Sequence, residues 1–208
     1  MNTRSAAVSL LCAVAASTAP GCALLSKGDQ GAARFFSLER ASGRSGAGQA
    51  QAPATRADLA ALRLGHVTGA PHLEQRLVFR DSAYEIGYYR ELRWTEPPER
   101  YLERLLARVL FEERGLRHVV GGAGQTLEVQ LTAFDEIRGP QRLARAQIIA
   151  RLHDEHLVLF EETMTVDRVV GESGGDRGVA TVKALGEAMQ AAVGRIADRV
   201  VRELEERR

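Results

Sequence analysis

At 208 residues the chain is long enough for one domain with a real core plus tails, and its 45% apolar content marks a folding chain rather than a disordered one. Its 28 basic and 27 acidic residues are mixed along the sequence for a formal net charge of +1. The basic footprint of a nucleic-acid binder is therefore missing, and a polyanion partner is excluded.

The first residues read as an export signal. Arg4 supplies a positive start, Ala6 to Ala16 a short apolar stretch, and Ala19-Pro20-Gly21-Cys22 its end. The apolar stretch is too short to span a bilayer stably. Small residues directly before a cysteine resemble the site at which bacterial lipoproteins are cleaved and acylated, palmitate being one such chain, with Ala19 in place of the usual leucine and Pro20 an uncommon neighbour. Residues 1–21 are thus expected to be removed, and Cys22 to become the lipidated first residue. With Cys12 discarded, Cys22 has no partner for a disulfide, which favours acylation over an idle thiol. Each buried CH₂ of an acyl chain contributes about 0.8 kcal/mol to membrane attachment. Loss of Arg4 leaves 27 basic against 27 acidic residues.

Residues 22–33 are small and polar and read as a tether; the folded domain is expected over 34–208. Arg34 to Leu38 is a short strand pattern. Ala41 to Asp58 has the Gly, Ser, Ala and Gln composition of a flexible loop. Leu59 to Val67 reads as a strand, broken by Gly69-Ala70-Pro71. Leu77 to Phe79 and Tyr84 to Tyr89 then form a hairpin through Asp81-Ser82. A helix follows with Thr95 as its expected N-cap, Pro97 and Pro98 in the first turn and Gly115 as its stop. Tyr101, Leu102, Leu105, Leu106, Val109 and Leu110 fall on one helical face.

Beyond Gly115 the period changes to two. Leu116 to Val120 is a short strand. Leu127, Val129, Leu131 and Ala133 alternate with polar residues, as do Ala144, Ala146, Ile148, Ala150 and Leu152. A third run places Val158, Phe160, Met164 and Val166 on one face. These three form a meander. Asp176 can cap a terminal helix whose face carries Val182, Leu185, Met189, Val193, Ile196, Val200 and Leu204. The predicted fold is α+β: an antiparallel sheet with both amphipathic helices on one face.

Few motifs suggest chemistry. His153-Asp154-Glu155-His156 reads as a polar turn, because two histidines beside a turn do not supply the three or four convergent ligands zinc needs. Gly121, Gly122 and Gly124 lack the lysine and helix start of a phosphate loop. Asp135-Glu136 and Glu161-Glu162 read as strand-end and edge charges. No serine occupies a nucleophile elbow, and no metal or cofactor is expected. What stands out is the run Tyr84 to Trp94, which holds three of the four tyrosines and the single tryptophan in a chain only 5% aromatic. Alternation there fits a strand with one face in the core, while tyrosine and tryptophan are enriched at contact surfaces. Both readings stay open for Tyr84, Tyr88, Tyr89 and Trp94, with Pro97 and Pro98 beside them as part of the candidate partner-binding region.

The segment Arg80-Asp81-Ser82-Ala83-Tyr84-Glu85-Ile86-Gly87-Tyr88-Tyr89, followed by Trp94-Thr95-Glu96-Pro97-Pro98, resembles the signature of the ABC-type transport auxiliary lipoproteins. These are the paraquat-inducible-protein-C-like components of mammalian-cell-entry (MCE) lipid transport systems. The resemblance extends to the Cys-anchored start, the first strand, the meander and the last helix. It implies a periplasmic domain held by lipid to the outer membrane and working beside an MCE-domain protein and ABC transporter subunits, by binding rather than catalysis. ATP hydrolysis would belong to a separate subunit, since this chain has no Walker motif. The partner is an MCE protein or a second copy of this chain. The alternatives are an envelope-assembly lipoprotein outside MCE transport and a periplasmic hydrolase using carboxylates.

Overall fold

The computed structural model describes residues 32–38, 60–121, 124–171 and 175–207. The expected signal 1–21, Cys22, most of the tether and the segment 41–58 lie outside the described residues. The elements are β1 (Arg34–Phe36), β2 (Ala61–Gly69), β3 (Arg76–Arg80), β4 (Ile86–Trp94), α1 (Pro98–Ala107) with a π-helical turn (Arg108–Glu113), β5 (Arg117–His118), β6 (Gln125–Ile137), β7 (Leu143–His153), β8 (Val158–Val169) and α2 (Arg177–Glu206). The fold is α+β, with the strands in one eight-stranded sheet. That sheet is mixed rather than purely antiparallel, because β1 runs parallel to β4, β2 to β5 and β6, and β3 to β6.

Strand β6 is the spine. One edge pairs with β7 along its whole length. The other edge takes two strands in series: β2 against Gln125 to Leu131, then β3 against Asp135 to Ile137. Alternation fixes which face is buried, and the expected β7 set from Ala144 to Leu152 is fully covered. A bulge between Leu131 and Ala133 inserts one residue into β6. Leu127, Val129 and Leu131 before it, and Phe134 and Glu136 after it, therefore all oppose buried β7 residues. Glu136 consequently points toward the helices and Asp135 away from them.

Both helices cover that same face. The Asp176 side chain caps α2 by accepting from Val179 N at 3.2 Å. At 30 residues α2 is about 45 Å long, and its whole predicted apolar face is buried. Arg199 of α2 lies over the Phe160 ring at 4.7 Å and reaches Glu162 at 3.7 Å. Helix α1 buries Tyr101, Leu102 and Leu106. Its indole neighbour Trp94 sits 6.1 Å from the Tyr101 ring and 5.4 Å from Phe134 of β6.

Three local expectations change. Thr95 does not cap α1; its hydroxyl pairs with Tyr101 OH at 2.6 Å, and Pro97 occupies the cap at φ −57°, ψ 141°, the extended backbone that a following proline imposes. The helix does not run unbroken to Gly115, because it widens into the π turn, where Arg114 N donates to Val109 O at 2.9 Å. Gly115, at φ +70°, then ends it, with Leu116 N donating to Leu110 O at 3.0 Å. Val158 is 58% exposed, because the β7–β8 register shifts between Leu152 and His153 and turns it out of the core face.

Candidate functional site

The β3–β4 hairpin begins the site. Phe79 lies directly across from Gly87, where the missing side chain lets the ring cover the backbone; a Cβ there would collide with the Phe79 ring atoms. The ring meets Tyr89 edge-on at 5.3 Å and is covered by the Arg138 guanidinium at 3.3 Å. Beyond this stack the hairpin tip is held by Ser82 Oγ, which accepts from Tyr84 N at 3.3 Å and Glu85 N at 3.2 Å. Tyr84 stands at the tip with 98% of its surface exposed, and Ile86 beside it is also exposed.

At the other end of β4, the turn between β2 and β3 meets the start of α1 along an open groove of about 570 Å³. Trp94 N donates to Gln75 O at 2.6 Å, and Ala70 N to Leu131 O at 2.8 Å, which fixes its backbone walls. Arg76 of β3 and Arg93 of β4 both line it and stand directly opposite one another. Like charges in that relation destabilise a sheet. Arg76 rests over the Tyr88 ring at 4.8 Å, and neither arginine has a carboxylate partner among the described residues. Arg76 Nε, Arg93 Nη1 and Glu99 Oε2 are buried with no hydrogen-bond partner there. Each such atom costs about 1–3 kcal/mol while unmatched. Glu99 reaches the groove floor because position 69 is glycine: a Cβ on Gly69 would lie 2.8 Å from Glu99 Oε2.

Elsewhere many charges are paired, although His72 Nε2, Arg108 Nε and Asp135 Oδ1 are likewise buried without a hydrogen-bond partner among the described residues. A cavity of about 170 Å³ between α1 and α2 is lined by Leu38, Leu105 and Met189. Arg104 at its edge is held bidentately by Glu96. Asp135 and Glu136, read from sequence as strand-end charges, are both 0% exposed and belong to the interior. Asp135 accepts from Arg80 Nε at 2.5 Å on the outer face. Glu136 accepts from Arg142 Nε and from Tyr89 OH on the helix face, with Thr181 Oγ of α2 at 3.4 Å. Burial pushes the Glu136 carboxyl up, but the hydrogen bonds from Arg142 and Tyr89 and the charges of Arg142 and Arg138 outweigh it and hold it below the usual glutamate range. Burial, followed by the neighbouring Glu136 against the opposing Arg138, raises the Tyr89 phenol. The two carboxylates face opposite sides of β6, so they do not converge on one substrate as an acid–base pair must.

The six residues grouped as a contact region therefore do not form one surface. Tyr84 is presented to solvent. Tyr88 is half-buried, its hydroxyl donating to His72 O at 3.4 Å, and Tyr89 is tied to Glu136. Trp94 is 1% exposed and Pro98 is buried, which makes both part of the packing under α1 and gives them no surface to offer. Pro97 lines the groove. The residues that sequence reasoning missed are the arginines: Arg76, Arg93, Arg138 and Arg142 look like ordinary surface charges until the sheet pairs β3 with β4 and folds the β6–β7 turn over Glu136. The segment 153–156 is a polar turn, with Asp154 Oδ1 accepting from His156 N and Leu157 N at 2.8 Å each.

The family described as "ABC-type transport auxiliary lipoprotein component" matches residues 45–200, and the chain belongs to it. Among solved structures, a protein from Xanthomonas campestris is similar at 18% identity and a TM-score of 0.60, over 71% of this chain and 86% of that one. An uncharacterized protein is similar at 15% identity and a TM-score of 0.62, over 82% and 99%. A hypothetical protein from Chlamydia trachomatis is similar at 11% identity and a TM-score of 0.50, over 70% and 98%. These likenesses show the fold. No curated protein matches.

Proposed function

We propose that this chain is the lipid-anchored auxiliary component of an MCE-type ABC transport system, held at the outer membrane through acylated Cys22 and facing the periplasm. It acts by binding protein rather than by catalysis. The observation that carries the contact is Tyr84, a fully presented aromatic side chain on a hairpin tip braced by Ser82 and by the Phe79–Tyr89–Arg138 stack. An exposed tyrosine offers a large amphipathic contact area, and such residues dominate binding at interface centres. No helix among the described residues is long and apolar enough to cross a membrane, so attachment in this reading falls to the lipid.

The test is co-purification of the full chain with MCE-domain and permease proteins encoded beside it. Tyr84→Ala should weaken recovery at least tenfold while circular dichroism is unchanged, and Cys22→Ala should move the protein into the soluble periplasmic fraction. Unaltered recovery of Tyr84→Ala removes the hairpin tip from the interface. Mass spectrometry that finds an unmodified Cys22 removes the anchor.

A further inference from the structure

We infer that β8 is the docking strand for a second copy of this chain, the two β8 strands pairing antiparallel about a two-fold axis at Thr165. The inference does not rest on the transport reading, because Tyr84 and Cys22 play no part in it. Among the described residues β8 pairs with β7 alone and ends the sheet. It is 12 residues long, keeps an unbroken register from Phe160 to Val169, and carries neither proline nor lysine. Glu161, Glu162, Thr163, Thr165 and Val169 are exposed along it. The other strands that end the sheet, β1 and β5, have only three and two residues. Short strands, proline, lysine and bulges are the devices that keep an edge from pairing. Strands β1 and β5 use the first of these; β8 from Phe160 to Val169 uses none and presents a row of backbone groups open to another strand.

The charges on β8 choose the partner and the register. Glu162 and Arg168 stand opposite Ala150 and Ala144 of β7, on the helix-covered face, with Met164 and Val166 between them on that face. Antiparallel pairing about Thr165 sets Glu162 against Arg168 of the second copy, twice over by symmetry, and Met164 against Val166. On the outer face Thr163 then meets Asp167, whose carboxylate accepts from the hydroxyl, and Thr165 meets itself. Unlike charges directly opposite support a strand pair and like charges oppose it. Other axes fail this test. An axis at Glu161, Glu162, Asp167 or Arg168 sets a charge against itself, and one at Met164 sets Glu161 against Asp167. Axes at Thr163 or Val166 leave Glu162 and Arg168 both facing apolar residues. The strand is therefore complementary to itself in one register, and a two-fold contact of this kind closes at two copies.

Thr165→Cys in the full chain should give a disulfide-linked dimer under oxidising conditions, because residues directly opposite place their Cα atoms about 4.5–5.5 Å apart, within disulfide reach. Thr163→Cys should not, since its two copies lie about 14 Å apart in this register. Mass spectrometry of the linked peptide places the bond at position 165. In sedimentation equilibrium of the full chain, Glu162→Arg and Arg168→Glu should each weaken the dimer at least tenfold with unchanged circular dichroism. The double variant Glu162→Arg/Arg168→Glu should restore it to within threefold of the wild type. Glu162 also lies 3.7 Å from Arg199 of its own chain, a contact the double variant does not rebuild, so recovery there reports the strand pair. A wild type that sediments as a monomer at every concentration overturns the proposal. So does cross-linking as efficient at position 163 as at 165, or a double variant as weak as the single ones.

Discussion

The outer face of the meander and the groove beside α1 are built from the same side chains and treat them in opposite ways. On the meander, Arg145 of β7 stands between Asp135 of β6 and Asp167 of β8, and Arg151 stands between Glu128 and Glu161. Arg145 grips Asp167 through two hydrogen bonds of 2.8 Å, and Arg151 reaches Glu161 at 2.6 Å. In the groove Arg76 faces Arg93, and Glu99 on its wall has one carboxylate oxygen buried without a hydrogen-bond partner. Alternating acid and base across three strands is what a sheet adopts when only its own stability is at stake. Like charges facing each other across two strands mark a place where the sheet gives up stability.

The largest test of this contrast lies in the interior. Glu136→Ala should cost about 3 kcal/mol by chemical denaturation, because it takes from Arg142, Tyr89 and Thr181 the buried acceptor they share. Trp94→Ala should cost a similar amount, about 3–5 kcal/mol, through the cavity left between Tyr101 and Phe134. A loss below 1 kcal/mol would show that the indole is not core. Next comes acid. The Glu136 carboxyl is held below its ordinary value of about 4.3, so its stabilisation is complete above that pH and disappears as pH falls through the lower folded-state value. The stability gap between wild type and Glu136→Gln should therefore be constant near neutrality and narrow only in acid; a gap that widens in acid reverses the sign. Asp167→Asn on the part-exposed outer face should cost only about 0.5 kcal/mol. The smallest effect is the most telling: Arg93→Met should leave stability unchanged or raise it by about 0.2–1 kcal/mol, since it removes a like-charge pair. A clear loss there would mean that the groove arginines are structural after all.

Legibility in the sequence followed the same division. Strand β7 and helix α2 could be read residue by residue, because strict alternation from Ala144 to Leu152 and the three-and-four spacing from Val182 to Leu204 each leave one burial solution, whereas bulges put β6 after Leu131 and β8 at Val158 out of the expected phase. The parallel pairings could not be read, since β1 and β4 or β2 and β6 meet only through contacts remote in sequence, and local pattern carries no trace of them. Asp135 and Glu136 were misread because a polar pair near a strand end normally marks the surface. Their burial follows from Arg80, Arg142 and Tyr89, which lie on other strands and turns. The aromatic run misled in part: Trp94 ends β4 beneath α1, and only Tyr84, lifted on the Ser82 turn, is left outside. Nothing local distinguishes Arg76 and Arg93 from other arginines, because their meaning lies in being opposite one another.

The bulge in β6 has a consequence for how the chain tolerates change in length. It falls where the far edge of β6 passes from β2 to β3, so the same few residues set the phase for two strands and for both carboxylates. Deleting Thr132 would remove the extra residue and keep Phe134 and Glu136 in phase with Leu131, whereas deleting a residue from the regular pleat on either side would rotate one half of the strand by half a period against the other. The segment 70–75, by contrast, loops away from the sheet between the two strands and is not bound by that phase. Insertions there that keep Leu73 in the core would reshape the groove wall without changing the phase of β6, so length can vary in that turn while the regular pleat of β6 cannot.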